Sequence, residues 1–399
     1  MIRFTTAGES HGQALVAILE GIPAGLQITA EDVNSELRRR MSGYGRGARM
    51  NIESDAVEFL AGIRAGETLG SPIALLVRNL DWENWSAIMA PEPLGRGTRK
   101  RKVTRPRPGH ADLVGVLKYD RSDARDILER ASARETAARV ACGAVCRRLL
   151  AEFGIEIGSH VVQLGTVVAT RPGQLPTPLN AAADQSAVRC LDDAAAQLMV
   201  AGIDAAIRDK DTLGGVAEVV LRGLVVGLGS HVSWDRKLDG RLAGAMMSIP
   251  AVKGVEIGLG FEGAGRSGSR AHDEIAWGGN ARTGGFVRKS NRAGGLEGGI
   301  STGEPVVLRL AMKPISTLRR PLGTVNLTTG KAGRAQSERS DVTAVPAMGV
   351  IAEAMAALVL AQAMVEKFGG DSLSEMRSNY DAYVQGLGAR WSAAHGGGE

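Results

Sequence analysis

Cysteine is scarce, with three in 399 residues, so no disulfide framework is available to hold the fold. Cys142 and Cys146 sit four apart in an Ala-rich stretch and read as small core residues. Cys190 stands alone, and no Cys/His spacing matches a zinc site, so no metal is expected. Aromatic residues make up only 4% of the chain, too few for the stacking platforms that bind single-stranded nucleic acid. Long apolar runs are missing as well. The most apolar helical stretch, 343–368, is interrupted by Pro346, Glu353, Gln362 and Glu366. Its uninterrupted runs fall far short of the ~18 residues of a membrane span, and it reads as a buried core helix. The opening MIRFTTAGESHG carries no basic-then-apolar targeting pattern, so a cytoplasmic protein is expected. There is no Walker A loop and no tandem repeat.

What the chain has instead is glycine and arginine. Fifty-three glycines are about twice the usual share of ~7%, which calls for tight turns or loops that approach a ligand closely. The formal charge is +5, and arginine gathers at 38–49, 96–107 and 121–148. A guanidinium fork suits carboxylate and phosphate, so the expected partner is anionic.

Periodicity and punctuation place strands at 3–7 and 14–20 around a glycine-flanked loop, then a helix opened by Thr29 and Asp32 and stopped near residue 42. Further strands are expected at 59–63, 72–78, 158–169, 216–228 and 305–312. Helices are expected at 123–153, 192–210, 239–248 and 343–368. The irregular stretch 79–111 is long enough to be functional. Chemistry-bearing segments run from residue 8 to 341 without a linker, which favours one domain over 1–370, followed by a helix and polar tail over 371–399. Gly258-Leu-Gly260-Phe-Glu-Gly263 has the spelling of a dinucleotide site, but Ala264-Gly-Arg-Ser-Gly-Ser269 continues it as loop and opens no phosphate-binding helix.

Two of the six histidines sit in glycine-bounded loops beside charged groups. His11 lies in Gly8-Glu-Ser-His-Gly12, and His110 in Arg105-Pro-Arg-Pro-Gly-His-Ala-Asp112. Histidine, with an ordinary pKa near ~6.5, is suited to proton transfer around neutrality. In Glu129-Arg-Ala-Ser-Ala-Arg-Glu-Thr136, Arg130 and Arg134 share a helix face, which an anion between them would explain. Neutralisation by Asp126, Glu129 and Glu135 explains it equally well. Asp341, just before a helix start, reads on physics alone as a cap. The basic run 96–107 reads as a loop over an anionic site, as an arm for nucleic acid, or as a solvated charged loop.

The sequence Gly8-Glu-Ser-His-Gly-Gln-Ala-Leu-Val-Ala-Ile-Leu-Glu-Gly-Ile-Pro23, the segment 129–143, and Arg339-Ser-Asp-Val-Thr343 continuing to Glu353 closely resemble the chorismate synthase family. Residues 105–112, 291–299 and 313–317 add to the likeness, which extends over roughly 1–370.

The resemblance implies an α+β fold in which helices lie between antiparallel sheets, assembled as a homotetramer. It implies an anti-1,4-elimination of phosphate from 5-enolpyruvylshikimate 3-phosphate, giving chorismate. Reduced FMN would be required without net redox change, with NADPH only as an external reductant and possible help from a separate flavin reductase. By position in the motifs, His11, His110 and Asp341 are the catalytic candidates. Ser10, Arg40, Arg46, Arg49, Arg107, Arg134 and Arg339 are the substrate candidates. FMN contacts fall to Arg130, Ala131, Ser132, Pro250, Ala251, Gly298, Lys313, Pro314, Ile315, Ser316, Thr317 and Arg339. Arg40 and Arg46 carry a second reading, as nicotinamide-nucleotide contacts. The rival functions are an FMN-dependent oxidoreductase, which needs no dense arginine cluster, and an RNA-binding protein using 96–107.

Overall fold

The computed structural model describes residues 1–47, 54–93, 101–338 and 340–395. Arg49, Arg339, the 96–100 part of the basic run and the end of the polar tail lie outside the described residues. Strands β1 (Arg3–Ala7), β2 (Ala14–Glu20), β3 (Val57–Ala61) and β4 (Ile73–Arg78) form an antiparallel sheet in the order β1-β2-β4-β3. Strands β5 (Glu156–Leu164), β6 (Val167–Val168), β7 (Gly215–Arg222), β8 (Val252–Ile257) and β9 (Val306–Met312) form a second, in the order β8-β9-β7-β5-β6, again antiparallel.

The central helices lie between these sheets. Helix α1 (Ala30–Met41) opens with the capping box of Thr29 and Asp32. Helix α2 is Arg125–Ala131, and α3 is Thr136–Ala151. Helices α1 and α3 pack on the first sheet, where Leu15, Ala17 and Leu19 of β2 turn to the core at every second position. The second sheet is covered by α4 (Leu238–Met247) and α5 (Val345–Phe368). Gly143 makes the crossing of α3 and α5 close: a Cβ there would stand 2.4 Å from Ala354 Cβ. Because α5 meets protein on nearly every side, it is apolar all round; 89% of its most apolar window is buried. It is long and apolar enough to cross a membrane, but it fills the core instead. Helix α6 (Leu373–His395) packs on α5, burying Met376 and Tyr380.

One charged residue interrupts that core. Glu353 of α5 is fully buried, and its carboxylate accepts from Arg39 (2.9 and 3.0 Å), Arg147 (2.6 Å), Arg189 (3.1 Å), Ser159 (2.6 Å) and Asn180 (2.8 Å). Burial alone would raise its pKa, but the charges of the three arginines hold it far below the ordinary carboxylate value.

Two local readings differ from expectation, and one at the GxGxxG spelling agrees with it. The stretch 123–153 is two helices, because Ser132 turns to extended backbone and its hydroxyl accepts from Arg134 N, capping a short 3-10 turn over Ala133–Glu135. Strand β8 was not anticipated. As expected, the GxGxxG spelling opens no phosphate-binding helix: its last residues sit in a single helical turn, Phe261–Ala264.

Candidate active site

The β1–β2 hairpin and the end of β4 leave the first sheet on the same side, since Ala14 pairs with Arg78. Gly8 allows this, with φ +106; a Cβ there would meet Ala14 O at 2.4 Å. Asn79, just past β4, clamps the loop by donating to Glu9 O (3.0 Å) and Gly12 O (2.7 Å). Ser10 and His11 are thereby presented to a cavity of about 1250 Å³. The cavity is also bordered by the α2–α3 break, the Ile249–Ala251 turn, the segment after β9 and the segment before α5.

His11 is held by Glu129. The buried carboxylate accepts from the His11 backbone N–H (3.0 Å) and lies 2.9 Å from Nδ1, while Arg125 donates to its other oxygen at 2.8 Å. Burial would raise the pKa of Glu129, but the hydrogen bond and charge of His11, with the charge of Arg125, lower it below the ordinary value. An ionised carboxylate only accepts, so Nδ1 carries the proton and Nε2 is left for the cavity.

His110 repeats the arrangement. Its Nδ1 lies 2.5 Å from Asp112, which is fully buried and takes a two-pronged contact from Arg107 at 2.8 and 3.0 Å. Against its burial, bonds from His110 and Arg107 hold the Asp112 pKa far below the ordinary value. Arg107 gives its remaining nitrogen to Thr317 at 2.8 Å.

The other arginines are engaged too. Asp55 bridges Arg40 (3.3 Å) and Arg134 inside the protein. Arg40 also donates to Thr136 and Ala133 O, each at 3.0 Å. Burial, with repulsion from Arg134 and Arg46, pushes the Arg40 pKa down to about 10. Arg46 pairs with Asp341 at 3.0 Å, and the other oxygen of Asp341 accepts from Gly47 N at 2.6 Å. Asp341 does not cap α5, whose N-terminus starts at Val345 without a side-chain cap.

Ser10, His11, Arg40, Arg46, Arg107, His110, Ala131, Ser132, Arg134, Pro250, Ala251, Lys313, Ile315, Ser316 and Asp341 thus border one cavity. Arg130, Gly298, Pro314 and Thr317 are not on its wall. Arg130 ties α2 to β1, donating to Thr6 O (2.8 Å), Thr6 Oγ1 (2.7 Å) and Gly8 O (3.1 Å). Gly298 belongs to the hairpin formed by Leu296–Glu297 and Ile300–Ser301. The carboxylates expected to neutralise Arg130 and Arg134 serve other partners: Glu129 holds Arg125 and His11, Glu135 pairs with Arg139, and Asp126 with Arg121.

Sequence reasoning missed Asp55, Asn79, Trp85, Glu129, Asp112 and Lys253 as site residues. Three of them had a local signal: Glu129 beside Arg130 at the head of its motif, Asp112 two residues from His110, and Lys253 two residues after Ala251. Arg101, Lys102, Lys253 and Lys313 border the cavity without a carboxylate partner among the described residues. Among the described residues on the cavity wall, these are the cations whose charge no carboxylate matches. No group of three or more His, Cys, Asp or Glu is placed to hold a metal among the described residues.

The cavity is larger than the roughly 300–1,000 Å³ of a one-ligand pocket, and it has room for a substrate and a planar cofactor together. At one edge, Ile249-Pro250-Ala251-Val252 forms a type II turn closed by Val252 N donating to Ile249 O at 3.1 Å. Its third position, normally glycine, is Ala251 at φ +68. Ala251 O in turn accepts from Lys313 N at 3.0 Å, so strained backbone is locked onto the end of β9 beside the cavity.

Fold and cavity define an α+β protein with two carboxylate-oriented histidines on the wall of one cation-bordered cavity. The family model described as chorismate synthase matches residues 2–365. Proteins named chorismate synthase from Salinispora tropica and Brevibacillus brevis are 57% identical over 397 residues and 55% identical over 388 residues. They cover 98% and 96% of this chain, and each is matched over its full length. A crystal structure of chorismate synthase superposes with a TM-score of 0.78 at 44% identity, covering 97% of this chain and 98% of that one. The chain belongs to the chorismate synthase family, and it is a lyase.

Proposed function

We propose that this chain eliminates phosphate from 5-enolpyruvylshikimate 3-phosphate to give chorismate, in the cavity bordered by His11 and His110. The observation that carries the reading is the pairing of each histidine with a buried, ionised carboxylate on the wall of one cation-lined space. The substrate has a phosphate and two carboxylates, and the unmatched charges of Arg101, Lys102, Lys253 and Lys313 attract it electrostatically. Arg40, Arg46, Arg107 and Arg134 are held rigid by Asp55, Asp112 and Asp341, and they present fixed positive charge where phosphate departs.

His11, held through Nδ1, gives a proton from Nε2 to the leaving phosphate oxygen in its imidazolium form, in which both ring nitrogens carry a proton. His110 and Asp341 serve proton movement on the cofactor side of the cavity. Reduced FMN, when bound, would supply electron density for C–O cleavage without being consumed. Ala131, Ser132, Pro250, Ala251, Lys313, Ile315 and Ser316 would hold it, and the preset turn at Ala251 fits a backbone contact to a flat ring or a phosphate. Arg339, Arg49, Gly298, Arg130, Pro314 and Thr317 complete the assignments carried by the family motifs. The chain acts as one catalytic unit over 1–370, in the cytoplasm, as a homotetramer. NADPH serves only through flavin reduction, by this protein or a partner reductase.

The test is turnover of His11→Ala, His110→Ala and Asp341→Asn with reduced FMN supplied anaerobically. Each is expected to lose at least roughly 100-fold in kcat while staying folded. Wild-type rates in all three folded variants contradict the roles.

A further inference from the structure

We infer that Trp85 is a positioning residue for His11: the indole stacks on the imidazole and fixes the plane in which Nε2 meets the substrate. The inference rests on the elimination proposed above. The two rings lie 3.9 Å apart between centroids, with 23° between their planes. Trp85 reaches this position from the long irregular stretch after β4, on a single helical turn, Trp82–Trp85. Its own orientation is set by Nε1, which donates to Asp81 at 3.0 Å.

Glu129 alone does not fix His11 fully. A carboxylate at Nδ1 anchors one atom and leaves the ring free to tilt about it. A second planar surface against the ring face removes that freedom. The indole face carries negative quadrupole charge, so it also attracts cations. Two guanidiniums use it: Arg101 lies 4.8 Å and Arg125 5.0 Å from the ring centre. Arg125 is the same residue that donates to Glu129 and lies 3.4 Å from Glu338. Trp85 therefore touches both the histidine and the arginine of one unit, His11–Glu129–Arg125. It also covers the imidazole, whose side chain is 14% exposed. The consequence is that the proton donor is complete only when the segment carrying Trp85 is docked.

A tryptophan that merely filled space under the loop would behave differently from one acting through His11, and kinetics separates the two. With reduced FMN and saturating substrate, Trp85→Ala is expected to lower kcat about 10- to 100-fold, the scale of a reacting group displaced by ~1 Å. KM for the substrate is expected to stay within about threefold, and Trp85→Phe, which keeps a stacking face, to recover most of the loss. In a His11→Ala background, Trp85→Ala is expected to cost less than about threefold more, because residues acting as one unit are not additive. Wild-type kcat in Trp85→Ala, a raised KM at unchanged kcat, or full additivity in the double variant each overturn the inference.

A second readout needs no turnover. A stacked imidazole quenches indole emission, so His11→Ala is expected to brighten the ligand-free protein, and not to do so in a Trp85→Phe background. The same brightening in both backgrounds overturns the stack. If the wild-type chain fails to release phosphate from its substrate, the proposed function falls, while emission still decides whether Trp85 holds His11.

Discussion

Glu129 grips His11 at two points, the backbone N–H at 3.0 Å and Nδ1 at 2.9 Å. Loop position and ring tautomer are thus set by one carboxylate. Replacing it by an amide keeps the shape and removes the negative charge that stabilises the imidazolium form of His11. Glu129→Gln is expected to lower kcat by roughly 100-fold or more with little change in substrate KM. Steady-state kinetics on the reduced-flavin reaction checks this, and a rise in KM alone contradicts it.

Asp112 should act the same way on His110, with one difference. It also neutralises Arg107, so Asp112→Asn leaves a buried guanidinium without its carboxylate. Breaking a buried pair costs about 3–5 kcal/mol. Asp112→Asn is therefore expected to lose stability as well as turnover, measured by urea unfolding beside kinetics.

Glu353 ties α1, α3, α5 and β5 through its three arginines and Ser159. Glu353→Gln is expected to destabilise the fold by about 3–5 kcal/mol in urea unfolding. The pH dependence has a definite sign. The folded pKa of Glu353, like those of Asp112 and Glu129, is lowered. Their contribution is complete above the ordinary carboxylate pKa of ~4.3 and is lost as pH falls through the lowered folded values. Stability is expected to drop below about pH 4.5, and less steeply in Glu353→Gln. An equal pH slope in both proteins contradicts this.

Lys253 borders the cavity with no carboxylate partner among the described residues. Lys253→Ala is expected to raise substrate KM about 10-fold, with kcat less affected, and to weaken the dependence of KM on salt. An unchanged KM at low ionic strength removes Lys253 from substrate recognition.

Local chemistry made much of the fold legible. The capping box at Thr29 and Asp32, the strand over 14–20 and the apolar helix near 343–368 were each readable from the sequence. Strand β8 was harder, since Val252-Lys-Gly-Val-Glu-Ile257 carries glycine and two charges on an apolar pattern. The α2–α3 break was invisible because the apolar spacing runs straight through Ser132, and a capping hydroxyl leaves no mark on periodicity. At the site, arginine density pointed to an anion, but not to how each arginine is held. Asp55 reaches Arg40 and Arg134 across 15 and 79 residues, and Glu129 reaches His11 across 118. Such partners exist only once the chain has folded. Asp341 shows the reverse, a residue spelled like a helix cap that binds Gly47 and Arg46 instead.

On the proposed function, one cation-lined cavity removes phosphate from an allylic ester without consuming the flavin it needs. The direct measurement is anaerobic turnover with reduced FMN, counting phosphate released against flavin oxidised. Many equivalents of phosphate per flavin, with the flavin still reduced at the end, is the predicted result. One flavin oxidised for each substrate consumed would contradict it.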